Sequence, residues 1–159
     1  MTPPGSPRRP DEQSLRASAL VAGERGALIR GPSGSGKSAL CLAMIEIARR
    51  SGDYAALVGD DRVFARVAFG RLLIRGVPGF EGWIERRGEG LLVETHEPRA
   101  VARLVVDLPE PSLAPPRWPE DDADFAVIMG LRLPRLALDP RPGSAAGAYA
   151  ALRALAHRA

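Results

Sequence analysis

Apolar positions along this chain fall into short runs, and the length and flanks of each run predict an element. "ASALVAG" and "GALIR" are brief apolar stretches separated by Gly23 to Gly26, which predicts two strands joined by a turn. "SALCLAMIEIARR" is longer and apolar on nearly every side, which predicts a buried helix. Arg49 and Arg50 suit the negative end of that helix's dipole, and Gly52 supplies its stop. "AALVGDD" predicts a short buried strand ending in two carboxylates. "RVFARVA" and "RLLIR", flanking Phe69-Gly70, predict a hairpin. "GVPGFEGWIERRGEG" reads as a glycine-rich loop leading into "LLVE", and "VARLVVDL" reads as a further strand.

Beyond it, "PEPSLAPPRWPEDDAD" is a long proline-rich loop, a candidate partner-facing segment. "FAVIMG" and "RLALD" predict late strands, and "AAGAYAALRALAHRA" a terminal helix. Residues 1–14 are Pro-rich and polar and are expected to form a disordered lead, leaving one domain over 15–159. Helices and strands alternate early, strands dominate the middle, and no internal repeat is evident. The prediction is an α/β fold with a mixed sheet.

Composition narrows the class. At 159 residues the chain can bury a core without disulfide or metal staples. Its 45% hydrophobic and 26% charged content is that of a soluble globular domain. Neither a bilayer-spanning apolar run nor the apolar core of a secretory signal is present, so no membrane role is expected. The single cysteine, Cys41, excludes an internal disulfide and fits a reducing cytoplasm; its place in the predicted helix makes it a core residue. The net charge of +3 invites a nucleic-acid reading, but the arginines are interleaved with 19 acidic residues and form no basic stripe. A solvated mixed-charge surface is the better reading. His96 and His157 lack partners at metal spacing, so no zinc site is expected. Trp83 and Trp118 are read as packing residues.

One stretch changes the picture. Gly31-Pro32-Ser33-Gly34-Ser35-Gly36-Lys37-Ser38 fits the phosphate-loop spacing G-x-x-x-x-G-K-[ST], with a predicted strand before it and a helix after it. Glycines let backbone N–H groups turn inward around phosphate oxygens, and the helix start adds positive potential. Lys37 is the only lysine among 22 basic residues. A compact ammonium on a flexible stem can reach the β- and γ-phosphates, whereas arginine's planar fork would not fill the same place. Ser38 offers its hydroxyl to Mg²⁺. Asp60-Asp61, at a strand end, stand where phosphate-loop proteins bring a carboxylate to the Mg²⁺ shell. Two adjacent acids allow two roles, one toward the metal and one toward a proton. Glu85 offers a further hard ligand, and Arg87 a charge to stabilise a transferring phosphoryl group.

Three blocks in order, "GALIRGPSGSGKS", "LVGDDRV" and "IERRGEG", resemble the bacterial HPr kinase/phosphorylase family. "IERRGEG" is close to that family's E-[VI]-R-G-x-G signature, and "RLVVDL", the R-x-P of "RWPED" and "LPRLAL" also fit. The resemblance covers nearly all of the chain from about residue 15 and is to the short alphaproteobacterial form, which consists of the C-terminal catalytic domain. It implies a phosphate-loop domain of the PEP carboxykinase-like type. It implies transfer of the γ-phosphoryl of ATP to a serine of HPr, the phosphocarrier of the phosphotransferase system. It also implies the reverse reaction, in which inorganic phosphate takes the phosphoryl group and pyrophosphate leaves.

Carried over onto this chain, Lys37 holds phosphate, Ser38, Asp60 and Glu85 serve Mg²⁺, and Asp61 takes the serine proton. Arg87 and Arg117 match family arginines, and Arg141 falls in a segment tied to the reverse reaction. The implied setting is a cytoplasmic homo-oligomer, typically a hexamer. Arg16-Ala17 stands where the family has a histidine in an H-A or H-G pair; arginine keeps a positive donor but cannot exchange a proton near neutral pH. Gly59 replaces a common alanine, and Arg86 and Glu89 occupy usually apolar positions. The loop by itself is equally compatible with a small-molecule kinase or hydrolase, or with a non-catalytic nucleotide sensor.

Overall fold

The computed structural model describes residues 8–110, 124–139 and 141–158. Strands β2 (Ala17–Ala22), β3 (Arg25–Arg30) and β4 (Ala55–Gly59) arise from the three short apolar runs flanking the loop and helix. β2 lies between the other two and is antiparallel to both, so β3 and β4 point the same way. β9 (Arg99–Asp107) runs parallel to β3, and β11 (Leu131–Ala137) runs parallel to the end of β9. Four strands therefore deliver their carboxyl ends to one edge of the sheet.

Side chains on these strands alternate between two cores, as a period of two requires. Leu20, Ala27, Ile29, Leu57, Leu104 and Val106 face helices α1 (Lys37–Arg50) and α2 (Ser144–Arg158). Ala19, Val21, Leu28, Ala56, Val58 and Val105 face the opposite side. Burial on both faces is why these runs read as continuously apolar.

The second core is closed by a curl in the sheet. The first residues of β9 pair antiparallel with β6 (Arg71–Gly76), which continues through β5 (Val63–Ala68) to β1 (Gln13–Leu15). β10 (Phe125–Ile128) pairs with β11. The result is a nine-stranded mixed sheet with both helices on one face, as the α/β expectation required.

Two expectations are corrected. The segment "WIERRGEG" is not a loop: β7 (Trp83–Arg86) and β8 (Gly90–Val93) form a separate two-stranded hairpin. Gly88 and Gly90 have φ of 87° and 86°, so the residues that read as loop punctuation are those of a tight turn. Ile84 is fully buried and fastens the hairpin to the helical core. The lead also ends earlier than Leu15. Glu12 is buried and accepts two hydrogen bonds from Arg75, 2.6 and 2.7 Å long, and β1 follows at once. Residues 1–7 of the lead, most of the proline-rich loop, Arg117 and Trp118 lie outside the described residues.

Candidate phosphate and carboxylate site

The glycine loop leaves the carboxyl end of β3 and enters α1 directly, at the edge where four strands converge. Its glycines are required by geometry. Gly34 and Gly36 have φ of 79° and 96°, in the left-handed region. A Cβ on Gly31 would stand 2.6 Å from Ser35 Oγ and 2.9 Å from the Leu108 carbonyl oxygen, so only glycine fits there. Ser35 Oγ is buried and, among the described residues, is the one buried side-chain polar atom without a partner. α1 starts at Lys37 with no side-chain cap and no acidic residue in its first turn. The positive helix end is thus left to whatever the loop encloses.

Lys37 is buried, 7% exposed, and folds across its own loop. Its Nζ donates to the carbonyl oxygens of Gly31 at 2.9 Å and Pro32 at 3.1 Å. No carboxylate pairs with it among the described residues.

Asp60 follows the last residue of β4 and faces the helix start. Its Oδ1 accepts from Ser38 Oγ and from Ser18 Oγ, both at 2.7 Å, and its Oδ2 accepts from the Glu85 amide at 3.1 Å. The carboxylate holds three neutral donors and, among the described residues, no cation. Asp61 is exposed and sits at φ 61°, uncommon for a residue with a side chain. The Arg62 amide donates to the Asp60 carbonyl at 2.7 Å, closing a γ-turn over Asp61. The turn is stitched to β2 by the Ala17 amide, which donates to the Asp61 carbonyl at 3.1 Å.

Other predicted residues stand further out. Glu85 is exposed on β7 and touches Asp60 through its backbone. Arg87 is exposed in the hairpin turn and takes part in none of these hydrogen bonds. Arg16 is exposed between β1 and β2. Arg141 pairs with Asp139, and its hydrogen bonds hold the Asp139 carboxyl below the usual range. Cys41 is fully buried, and burial pushes its thiol well above the ordinary value, as suits a core residue. Among the described residues, no three His, Cys, Asp or Glu side chains gather as a metal site. Asp60 and Ser38 nevertheless suit Mg²⁺, which needs only one or two protein oxygens beside phosphate and water. The unpartnered Ser35 hydroxyl, the loop that a Gly31 Cβ would obstruct and an Asp60 that meets no cation among the described residues all fit an anionic phosphate chain with its metal.

Sequence reasoning missed Ser18. It is fully buried, donates to Asp60 and lies 3.4 Å from the Asp61 amide, so one hydroxyl ties both acids to β2. The only signal was a polar residue inside the apolar run "ASALVAG".

No family profile matches the chain, and no curated protein matches it. Among solved structures, it is similar to the Hpr(Ser) kinase/phosphatase from Coxiella burnetii. The likeness covers 89% of this chain and 88% of that one, with a TM-score of 0.67 and 22% sequence identity. The fold is therefore the mixed α/β, phosphate-loop type of that enzyme.

Proposed function

We propose that this protein is an ATP- and Mg²⁺-dependent serine kinase of the phosphocarrier protein HPr, acting in the cytoplasm as a homo-oligomer. The observation that carries the reading is the joining of the phosphate loop to the acid pair: Ser38 Oγ donates to Asp60 at 2.7 Å, and Asp61 is the next residue. The three sequence blocks and the fold support the same reading.

In this mechanism the loop amides and Lys37 hold the triphosphate, with the Lys37 ammonium leaving its carbonyl partners for the β- and γ-phosphates. Ser38 and Asp60 would hold Mg²⁺, with Glu85 on the hairpin beside them. The metal supplies positive charge that offsets the charge developing on the transferring group. Asp61, exposed and outside the Asp60 hydrogen-bond set, takes the proton of the HPr serine hydroxyl. As the serine oxygen bonds to the γ-phosphorus, the bond from that phosphorus to the bridging oxygen breaks and ADP leaves. Arg87, on the hairpin, and Arg117 would stabilise charge on the transferring group.

In reverse, protonated Asp61 returns its proton to the serine oxygen while inorganic phosphate accepts the phosphoryl group, giving pyrophosphate. Arg16 cannot exchange protons in place of a histidine, so the forward direction is favoured over phosphorolysis relative to enzymes that carry one.

The test incubates the full chain with ATP, Mg²⁺ and HPr from the same organism and maps phosphorylation by mass spectrometry. One phosphoserine on HPr is expected. HPr left unmodified while ATP is consumed would overturn the reading in favour of a small-molecule kinase or hydrolase.

A further inference from the structure

A cavity of about 240 Å³ opens beside the glycine loop, at the carboxyl ends of β9 and β11. Ser35 and Gly36 of the loop form one side of it, and Ala39 and Leu40 in the first turn of α1 form the floor. Leu108 and Leu138, just past the two strands, make the back wall. The first turn of α2 closes the cavity with Gly147, and Asp139 stands at its rim. None of the proposed transfer chemistry uses this space.

Its position and chemistry restrict what it can hold. Ligands of parallel α/β sheets bind outside the carboxyl ends of the strands. From Gly36 to Leu40 the helix axis advances by about 6 Å, so a group in the cavity lies close enough to be covalently continuous with phosphates in the loop. The cavity is smaller than the roughly 300–1,000 Å³ of pockets that enclose a whole ligand, and its leucine walls suit one flat apolar-faced ring. Ser35 places an unpartnered hydroxyl on the side shared with the loop. At the rim, Asp139 accepts hydrogen bonds from Arg141, which fixes that edge of the opening.

We propose that this cavity receives the base of the nucleoside triphosphate, adenine in the case of ATP, and that Gly147 keeps it open. The proposal rests on the reading of the loop as a triphosphate cradle. A Cβ on Gly147 would stand 3.3 Å from Leu40 Cδ1 and 3.5 Å from Leu138 Cδ1. One methyl there would crowd the wall, and a longer side chain would fill the space. The residue is thus a specificity determinant on α2, away from the loop it serves.

Calorimetric titration of the full chain with ATP and with inorganic tripolyphosphate separates the two ideas. The wild-type protein should bind both, and ATP more tightly. Gly147→Leu should weaken ATP at least tenfold and leave tripolyphosphate unchanged. Gly147→Ala, which suits the helix and guards against a misfolded leucine variant, should shift the same ratio less. Equal wild-type affinities, or an ATP-to-tripolyphosphate ratio untouched by both substitutions, would overturn the base site while leaving the cradle standing. Failure of the wild-type protein to bind either would remove the cradle and this proposal with it.

Discussion

Two carboxylates in different parts of the molecule are held in opposite ways. Glu12, in the segment that leads into β1, is 2% exposed at its side chain and gripped by the Nε and Nη2 donors of Arg75. Asp60, at the edge where the parallel strands end, is held by two hydroxyls and one amide, all neutral. Asp107 belongs with Glu12: burial pushes its carboxyl up, but hydrogen bonds from Arg30 and Arg135 outweigh that and hold it below the usual range. A carboxylate matched to a guanidinium has its charge answered inside the fold, and removing either partner strands the other. One matched to neutral donors is oriented but not neutralised, and its charge remains available to a metal ion. On the proposed function, the contrast marks Asp60 as the acid whose charge is left for a metal ion.

The largest effect that sharpens this contrast is on chemistry. Asp61→Asn should lower phosphoryl transfer to HPr by about 10²–10⁴-fold, the range of a lost general base, while the thermal midpoint stays put. Labelled γ-phosphate transfer measures the first and scanning calorimetry the second. Undiminished transfer would remove Asp61 as the base.

Next comes stability without chemistry. Hydrogen bonds from Arg75 hold the Glu12 carboxyl down at about 2, from an ordinary value near 4.5, with burial opposing and the Arg9 amide assisting. Because the folded value is the lower one, this stability is fully present above pH 4.5 and is lost as pH falls toward 2. A gap of that size corresponds to about 3 kcal/mol. Glu12→Gln should therefore destabilise the protein at pH 7 by about that amount and flatten its acid sensitivity between pH 4.5 and 2, read from urea midpoints. Nucleotide affinity should not change. An unaltered acid limb in the variant would place Glu12 outside the class of structural acids.

Smaller again is the effect of Ser18→Ala. Asp60 would keep Ser38 and the Glu85 amide but lose its tie to β2. The expected cost is about 1 kcal/mol in stability and about tenfold in transfer rate, because the Asp60 carboxylate loses one of its three donors while the Ala17 amide still holds the turn. A loss of stability with an unmoved rate would make Ser18 structural alone.

How much of this was legible follows from how local each determinant is. The loop was readable because glycine at 34 and 36 and lysine at 37 are demanded by backbone angles and charge at those positions themselves. The helix after it and the paired runs around Gly23–Gly26 were readable because burial on both sheet faces makes them apolar throughout. The β7–β8 hairpin was hidden because Gly82, Gly88 and Gly90 signal a loop to any local reading. A Cβ on Gly82 would stand 2.6 Å from the carbonyl oxygen of Glu94, the residue after β8, a constraint set twelve residues away. Glu12 was hidden because its partner is 63 residues away. Ser18 was hidden for the same reason, its contact with Asp60 crossing 42 residues of chain. The sheet order was equally non-local: β9 pairs with β3 across the intervening hairpins, and no run of residues announces that choice.

The most direct measurement titrates ATP into the full chain with and without Mg²⁺, for the wild-type protein and for Asp60→Asn. Asparagine keeps one acceptor oxygen for Ser18 and Ser38 but turns its amide nitrogen toward the exposed Glu85 amide, so the variant should lose about 1 kcal/mol of stability. Mg²⁺ should tighten ATP binding to the wild-type protein, and Asp60→Asn should lose this increment while keeping its metal-free affinity. An Asp60→Asn protein that binds Mg²⁺-ATP as tightly as the wild type would contradict this.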